Sequence, residues 1–161
     1  MKKLLIIYHS RTGGSQQMAE AAFDAAKEEC EVVLLRAQDA QPGDLVKVDG
    51  YIFAGPENLA ALSGQMKEFF DRCYYPVLGQ IEGRPYAQMI CAGSDGANAV
   101  RQLARIATGW RLKEAQPAII VNTSAQSEKA ILAPKTLSES QLAPCRDLGS
   151  ALGAGLALGV F

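Results

Sequence analysis

The chain has 161 residues, of which 48% are hydrophobic and 20% are charged, a composition typical of globular rather than disordered proteins. The formal net charge of −1, with scattered Lys and Arg, argues against a nucleic-acid partner. The lack of an apolar window of about 18 residues argues against membrane insertion. We therefore expect residues 1–161 to form a single cytoplasmic domain.

The elements, taken in chain order, alternate between apolar runs and helical patterns, which predicts a doubly wound α/β fold with helices on both faces of a parallel sheet. The expected strands are residues 3–8, 31–36, 50–54, 85–92 and 119–121. The expected helices are residues 15–29, 64–75, 97–108 and 137–159. Gly55-Pro56 is expected to end the third strand, and residues 37–49 to contain at most a short helical turn. Three glycines weaken the expectation for the last helix, although small residues also permit close packing on a sheet.

The cysteines predict no metal site. Cys30, Cys73, Cys91 and Cys145 are far apart, form no C-x-x-C motif and share the chain with a single histidine. We expect reduced and mostly buried thiols, with exposure of Cys73 or Cys145 left open. For His9, which precedes the first loop, a structural hydrogen bond is favoured over a functional role.

The first loop carries the strongest functional signal. It contains three hydroxyls and two glycines between a strand and a helix N-terminus, where free amides and the helix dipole favour an anion. The predicted ligand residues are Ser10, Arg11, Thr12, Gly13, Gly14 and Ser15. Neither G-x-x-x-x-G-K-[ST] nor G-x-G-x-x-G is present, which disfavours a nucleoside triphosphate and a dinucleotide. A single terminal monophosphate fits best.

This loop resembles the phosphate loop of flavodoxin-like proteins, whose pattern is roughly [ST]-x-[ST]-G-x-[ST], and every position of that pattern is matched. The resemblance implies FMN as the cofactor. It also implies a five-stranded sheet of order 2-1-3-4-5, with the ligand at the carboxyl ends of the strands. The loops after the first, third and fourth strands should then meet.

The segment after the third strand resembles the G-x-P-x-Y-x-x-x-x-x-G-x-x-K-x-F-x-D-R region of flavodoxin-like NAD(P)H-dependent oxidoreductases. The match covers Pro56, residues 63–67 and residues 69–72. The resemblance implies that Pro56, Glu57, Asn58 and Leu59 lie beside the isoalloxazine. The chain departs from the pattern because Glu57-Asn58-Leu59 supplies no aromatic ring for stacking. Glu57 either lowers the flavin potential or is a solvated loop carboxylate, and the second interpretation is favoured.

The loop after the fourth strand is the third part of the expected cofactor site. The resemblance places it along the pyrimidine edge of the flavin, with backbone amides as the favoured contacts and with Asp95 as an alternative helix N-cap. The residues assigned to this edge are Gly93, Ser94, Asp95, Gly96 and Asn98.

The resemblance to flavodoxin-like NAD(P)H-dependent FMN reductases and quinone oxidoreductases implies the reaction. A hydride would pass from NAD(P)H to flavin N5, and electrons then to a quinone or a similar small acceptor, with no catalytic side chain required. A homo-oligomer is plausible by the same analogy. The alternatives are a flavodoxin-type electron carrier that docks to redox partner proteins, and a flavodoxin-like fold that binds another phosphorylated small molecule.

Overall fold

The computed structural model describes residues 1–161, which form a mainly parallel sheet with helices on both faces and one two-residue strand that pairs antiparallel with its neighbour. The strands are β1 (Lys3–Tyr8), β2 (Glu31–Arg36), β3 (Gly50–Asn58), β4 (Ala61–Leu62), β5 (Pro85–Ala92), β6 (Lys113–Glu114) and β7 (Ile119–Asn122). The helices are α1 (Gly14–Ala26), α2 (Pro42–Val46), α3 (Gly64–Val77), α4 (Ala97–Gly109), α5 (Glu128–Leu132) and α6 (Glu139–Leu158). None of these helices combines the length and apolar character needed to span a membrane.

The strand order confirms the predicted flavodoxin-like topology. The order is β2-β1-β3-β5, and β6 and β7 both pair with the free edge of β5 in parallel. They act as one fifth strand interrupted at residues 115–118, where Pro117 has no amide hydrogen to donate. Counted in this way, the order is 2-1-3-4-5.

The sheet is buried on both faces because its central strands are almost wholly apolar, with Gln88 of β5 as a buried polar exception. Leu4 and Ile6 of β1 belong to a core shared with α1 and α6, whereas Leu5 and Ile7 belong to a core shared with α3 and α4. Alternate side chains of a strand point to opposite faces, so an unbroken apolar run supplies both cores. This arrangement places the carboxyl ends of β1, β3 and β5 side by side.

The glycines of α6 allow it to pack closely on another helix. An added Cβ at Gly149 would overlap the carbonyl group of Ala22, and one at Gly153 would lie 3.2 Å from the carbonyl oxygen of Ala26. Both contacts are with α1. These glycines therefore permit close packing on a helix, and not on the sheet as expected. The helix runs unbroken to Leu158 because this contact offsets the weak helix propensity of glycine.

Three predicted element ends were also wrong, and the first is that of α1, which ends at Ala26 and not near Glu29. β3 does not stop at Gly55-Pro56 but continues to Asn58 and turns back through Leu59 and Ala60 into β4. Pro56 is tolerated there because its carbonyl oxygen accepts the Ser63 amide at 3.2 Å, a bond that needs no proline N–H. α3 likewise continues through Pro76, one residue before its end.

Candidate functional site

The three loops that follow β1, β3 and β5 lie together at one edge of the sheet. His9 Nδ1 lies 2.8 Å from Ser63 Oγ, which joins the end of β1 to the start of α3. An added Cβ at Gly14 would lie 2.5 Å from Cys91 Sγ, so the first helical turn rests on the end of β5. The predicted meeting of these loops is therefore present, while binding of a cofactor there stays a prediction.

The loop after β1 keeps its backbone donors free. The amides of Thr12, Gly14 and Ser15 have no hydrogen-bond acceptor in the structure. Ser10 Oγ accepts the Gly13 amide at 3.1 Å and closes the loop into a tight turn, with Gly13 at φ 98°. The left-handed φ explains why glycine occupies position 13. No side chain of the protein accepts from the Gly14 and Ser15 amides at the start of α1, so these donors remain free for an anion.

Ser15 adds a buried donor to this set. Its side chain is 2% exposed, and its Oγ has no hydrogen-bond partner. A buried hydroxyl without a partner is costly, so such an atom in a native fold calls for an acceptor. A phosphate monoester fits the donor set, because its oxygens can accept from the hydroxyl and from the free amides together. Arg11, which is exposed, lies in the same loop.

Glu57 is not the solvated loop carboxylate that the sequence favoured, while its effect on the flavin potential stays a prediction. One carboxylate oxygen accepts the Gly96 amide at 2.8 Å and the other accepts the Ala99 amide at 3.0 Å. The half-buried side chain therefore caps the N-terminus of α4 from another loop, where free amides and the helix dipole stabilise a negative charge. The favoured interpretation of a solvated carboxylate was wrong, because a helix terminus far along the chain supplied its partners.

The hairpin tip between β3 and β4 is strained and exposed. Leu59 and Ala60 have φ of 51° and 60°, and the Leu59 side chain is fully exposed. Positive φ at both central residues is the requirement of a type I′ turn, which normally uses Asn-Gly. Asn58 is exposed as well, whereas Pro56 is half-buried. Leu59 is therefore available for aliphatic contact at this end of the site.

In the loop after β5, some polar groups are hydrogen-bonded within the protein and others are free. The amides of Gly93, Ser94 and Asp95 have no acceptor, in keeping with the predicted backbone contacts. Asp95 Oδ1 accepts the Ala97 amide at 3.2 Å, although the N-cap residue itself is Gly96, at φ 98°. The Gly96 amide is already bonded to Glu57, so it is not available to a ligand as expected.

Asn98 was predicted to meet a heterocycle, but its side chain is bonded within the protein. Its Nδ2 donates to the Ala60 carbonyl, and its Oδ1 accepts from Arg101. Gln102 supplies a parallel link, because its Oε1 accepts the Leu62 amide at 2.7 Å. These bonds hold the β3–β4 hairpin against α4.

His9 has the structural role that the sequence favoured. Burial lowers the pKa of its imidazole, and the positive charge of Arg11 lowers the pKa further, so the ring is held in its neutral form. Its bond to Ser63 also explains why that hydroxyl makes no capping bond to α3, although Ser63 is the N-cap residue. The pair fixes the distance between the first and second loops.

Residues 123–137, which we call the strap, reach the same edge and were not predicted there. The Lys135 amide donates to the Thr12 carbonyl at 2.7 Å, and the Ala125 carbonyl packs against Gly93. No sequence pattern pairs residues more than 100 positions apart, and α5 is too short to show a helical period.

Two surface clefts lie away from the loops. One is at the amino ends of the strands, near Asp49 and Arg84, and the other lies between α3 and α4, near Tyr74 and Ile106. The candidate site is therefore identified by its unpaired donors and not by the shape of a cavity.

Comparisons with known proteins agree with this geometry. A family model described as NADPH-dependent FMN reductase matches residues 1–126. A flavodoxin of Aquifex aeolicus is 29% identical over 166 aligned positions, covering 98% of this chain and 89% of the relative. An NAD(P)H dehydrogenase (quinone) of Acidithiobacillus ferrooxidans is 30% identical over 94 positions, covering 45% of this chain and 47% of the relative. The crystal structure of a WrbA-like flavodoxin from Agrobacterium tumefaciens superposes with a TM-score of 0.78 at 19% identity over 99% of both chains, which shows a common fold.

Proposed function

The chain belongs to the NADPH-dependent FMN reductase family, and from this premise we propose that it is an FMN-dependent oxidoreductase. It takes a hydride from NAD(P)H and passes the electrons to a quinone or a similar small acceptor. The cofactor binds at the carboxyl ends of β1, β3 and β5.

The single observation that carries the proposal is the buried and unpartnered Ser15 hydroxyl beside free amides at the start of α1. At an ordinary helix start, an N-cap side chain accepts one of the first amides and water can reach the others, whereas the Ser15 hydroxyl is buried and has no acceptor. Here these donors stay unpaired in a fold whose ligand sites lie at this edge. FMN, the flavin named in the description of the family, carries a phosphate that can accept these hydrogen bonds.

FMN, when bound, supplies the centre that accepts a hydride and passes electrons on. The protein's part is to bind and orient it. The free amides of Gly93, Ser94 and Asp95 would donate to polar atoms of the cofactor, and the exposed Leu59 would offer it aliphatic contact. No nucleophile or general base is required of any side chain, and His9 is held neutral by its surroundings.

A small acceptor is favoured by the charges around the loops. The chain has a net charge of −1, and Glu57 uses its carboxylate to cap α4. Among the other charged side chains of the three loops, the exposed Arg11 and Asp95 have opposite signs, so little net negative charge remains at this edge to steer a basic protein partner toward the cofactor. The resemblance to quinone dehydrogenases supports the same choice, although those relatives match over about half of their length.

Anaerobic stopped-flow mixing of the FMN-loaded protein with NADH and with NADPH tests the proposal. We expect rapid bleaching of the oxidised flavin absorbance by one or both, followed by reoxidation when a quinone is added. A flavin that binds but is bleached by neither nucleotide would contradict the enzyme.

The second candidate is a flavodoxin-type electron carrier, and the match to the Aquifex flavodoxin over 98% of the chain favours it. A carrier would exchange electrons with a reductase protein while reacting slowly with free NAD(P)H. The same stopped-flow experiment, repeated with a flavodoxin reductase as donor, separates the two functions.

Self-association is part of the proposal as well. Leu59, Ile131 and Leu132 are large apolar side chains exposed on the hairpin tip and on α5. Burial of such side chains against a second copy would remove apolar surface from water. Sedimentation velocity of the FMN-loaded protein tests this, and a monomer at all concentrations would contradict it.

A further inference from the structure

Gln17, in the second turn of α1, joins the phosphate loop to the strap. Its Nε2 donates to the carbonyl oxygens of Gly13 and Lys135, each at 2.8 Å, and its Oε1 accepts the Leu137 amide at 3.0 Å. All three bonds involve backbone groups, and two of them reach across more than 115 residues of chain. One side chain thus fixes two segments in a single geometry.

These bonds reinforce the direction in which the amides of the phosphate loop point. In a trans peptide the carbonyl and the following N–H point in opposite directions. The Gly13 carbonyl accepts the Gln17 backbone amide at 3.1 Å and, as a second donor, the Gln17 side chain at 2.8 Å. The Gly14 N–H of the same peptide is therefore directed away from Gln17, and this amide is unpaired. The Thr12 carbonyl is held by the Lys135 amide in the same manner.

The strap is itself rigid enough to act as a support. Lys135 Nζ donates to the carbonyl oxygens of Ala130, Ile131 and Ala133, at 2.9, 3.1 and 2.6 Å. A single ammonium group therefore closes the end of α5 and shapes the turn that follows it. The backbone of Lys135 then meets Thr12 and Gln17 in a fixed position.

We propose that Gln17 and the strap are positioning elements of the FMN phosphate site. By holding the Thr12 and Gly13 peptides, they direct the loop's free amides toward the phosphate before the ligand arrives. This inference rests on the proposed function, because it takes the phosphate of FMN as the ligand. Most of the strap lies beyond residue 126, where the match to the family model ends.

The test compares two neighbouring glutamines. Gln17→Met keeps the length of the side chain and removes its three bonds. Gln16→Met is the matched control, because Gln16 bonds only the surface carboxylate of Glu20. We expect Gln17→Met to raise the Kd for FMN about tenfold, since the pre-ordered donors are lost, and to leave the Kd for riboflavin, which lacks the phosphate, within about twofold. The control should change neither Kd.

Three results would be informative. An equal loss of affinity for FMN and riboflavin, or no loss for FMN, would overturn the positioning role alone. Failure of the unmodified protein to bind FMN would instead overturn the proposed function and this inference with it. Should Gln17→Met not fold, Lys135→Met loosens the strap without altering Gln17. It should weaken FMN binding in the same phosphate-selective way, and equal binding by this variant would overturn the proposal.

Discussion

The phosphate loop and the β3–β4 hairpin lie at the same edge of the sheet but use their polar groups in opposite ways. The loop leaves the Gly14 and Ser15 donors unpaired. In the hairpin, the Glu57 carboxylate accepts two amides at the start of α4, and Leu59 and Ala60 have positive φ. One region is prepared to bind an anion, whereas the other is held in shape by the protein itself. The phosphate end should thus supply more of the binding selectivity than the ring end.

The largest expected effect comes from filling the space beneath the phosphate loop. Gly14→Ala would place a Cβ 2.5 Å from Cys91 Sγ, and we expect it to lower the free energy of unfolding by about 1–3 kcal/mol and to weaken FMN binding. Chemical denaturation and FMN titration measure the two effects. Gly64→Ala, at the start of α3 with nothing within 4 Å of the new Cβ, is the matched control and should be neutral or stabilising.

Removing the Cys91 sulfur should restore part of the stability and FMN affinity that Gly14→Ala loses. Addition of Cys91→Ala to that variant takes away the atom that the new methyl group meets, so stability and affinity should both recover in part. A double variant no better than Gly14→Ala would show that Cys91 does not support the loop.

In the β3–β4 hairpin, the residue expected to matter most for stability is Glu57, which caps α4. Glu57→Ala leaves the Gly96 and Ala99 amides without acceptors, and we expect it to cost about 2 kcal/mol of stability in a denaturant titration. Glu57→Gln should cost less, because one oxygen can still accept. Asp95→Ala, which removes a single exposed bond, is the control. Unchanged stability in Glu57→Ala would mean that the cap does not form.

Substitutions at the strained hairpin tip, unlike those at Gly14 and Glu57, should stabilise the protein. Replacing Leu59-Ala60 by Asn-Gly places residues that favour positive φ at both positions, so the apo protein should gain about 1 kcal/mol of stability. The melting temperature of the apo protein measures this gain. A lower melting temperature would indicate that the exposed leucine contributes packing that the turn geometry does not reveal.

The smallest expected effect is the pH response of His9. Its pKa in the folded protein lies below the ordinary value of 6.5, so the unfolded chain takes up the proton first as pH falls. The stabilising contribution is full above about pH 6.5 and is lost as pH falls toward the lowered pKa. Comparison of unfolding free energies from pH 5 to 8 for the parent and for His9→Gln should show a smaller slope in the variant. Equal slopes would contradict a neutral, half-buried imidazole.

The same contrast separates what could be predicted from the sequence from what could not. The strands β1, β2 and β5 and the phosphate loop follow from local patterns, because apolar runs, glycines and hydroxyls act within a few residues. The hairpin depends on Glu57 meeting amides some 40 residues away, and the strap on Gln17 meeting Leu137. Such bonds arise only when the sheet brings distant loops together. The short elements β6 and α5 likewise show no period in the sequence.

Ser15→Ala tests the central claim most directly, since the buried hydroxyl has no partner within the protein. Without ligand, the variant should be as stable as the parent or more stable by up to about 1 kcal/mol, because a buried unpaired hydroxyl is removed. With FMN, the Kd should rise at least about tenfold, while the Kd for riboflavin stays unchanged. Unchanged FMN affinity, or an apo protein clearly destabilised by the substitution, would contradict the claim that this turn is built to hold a phosphate.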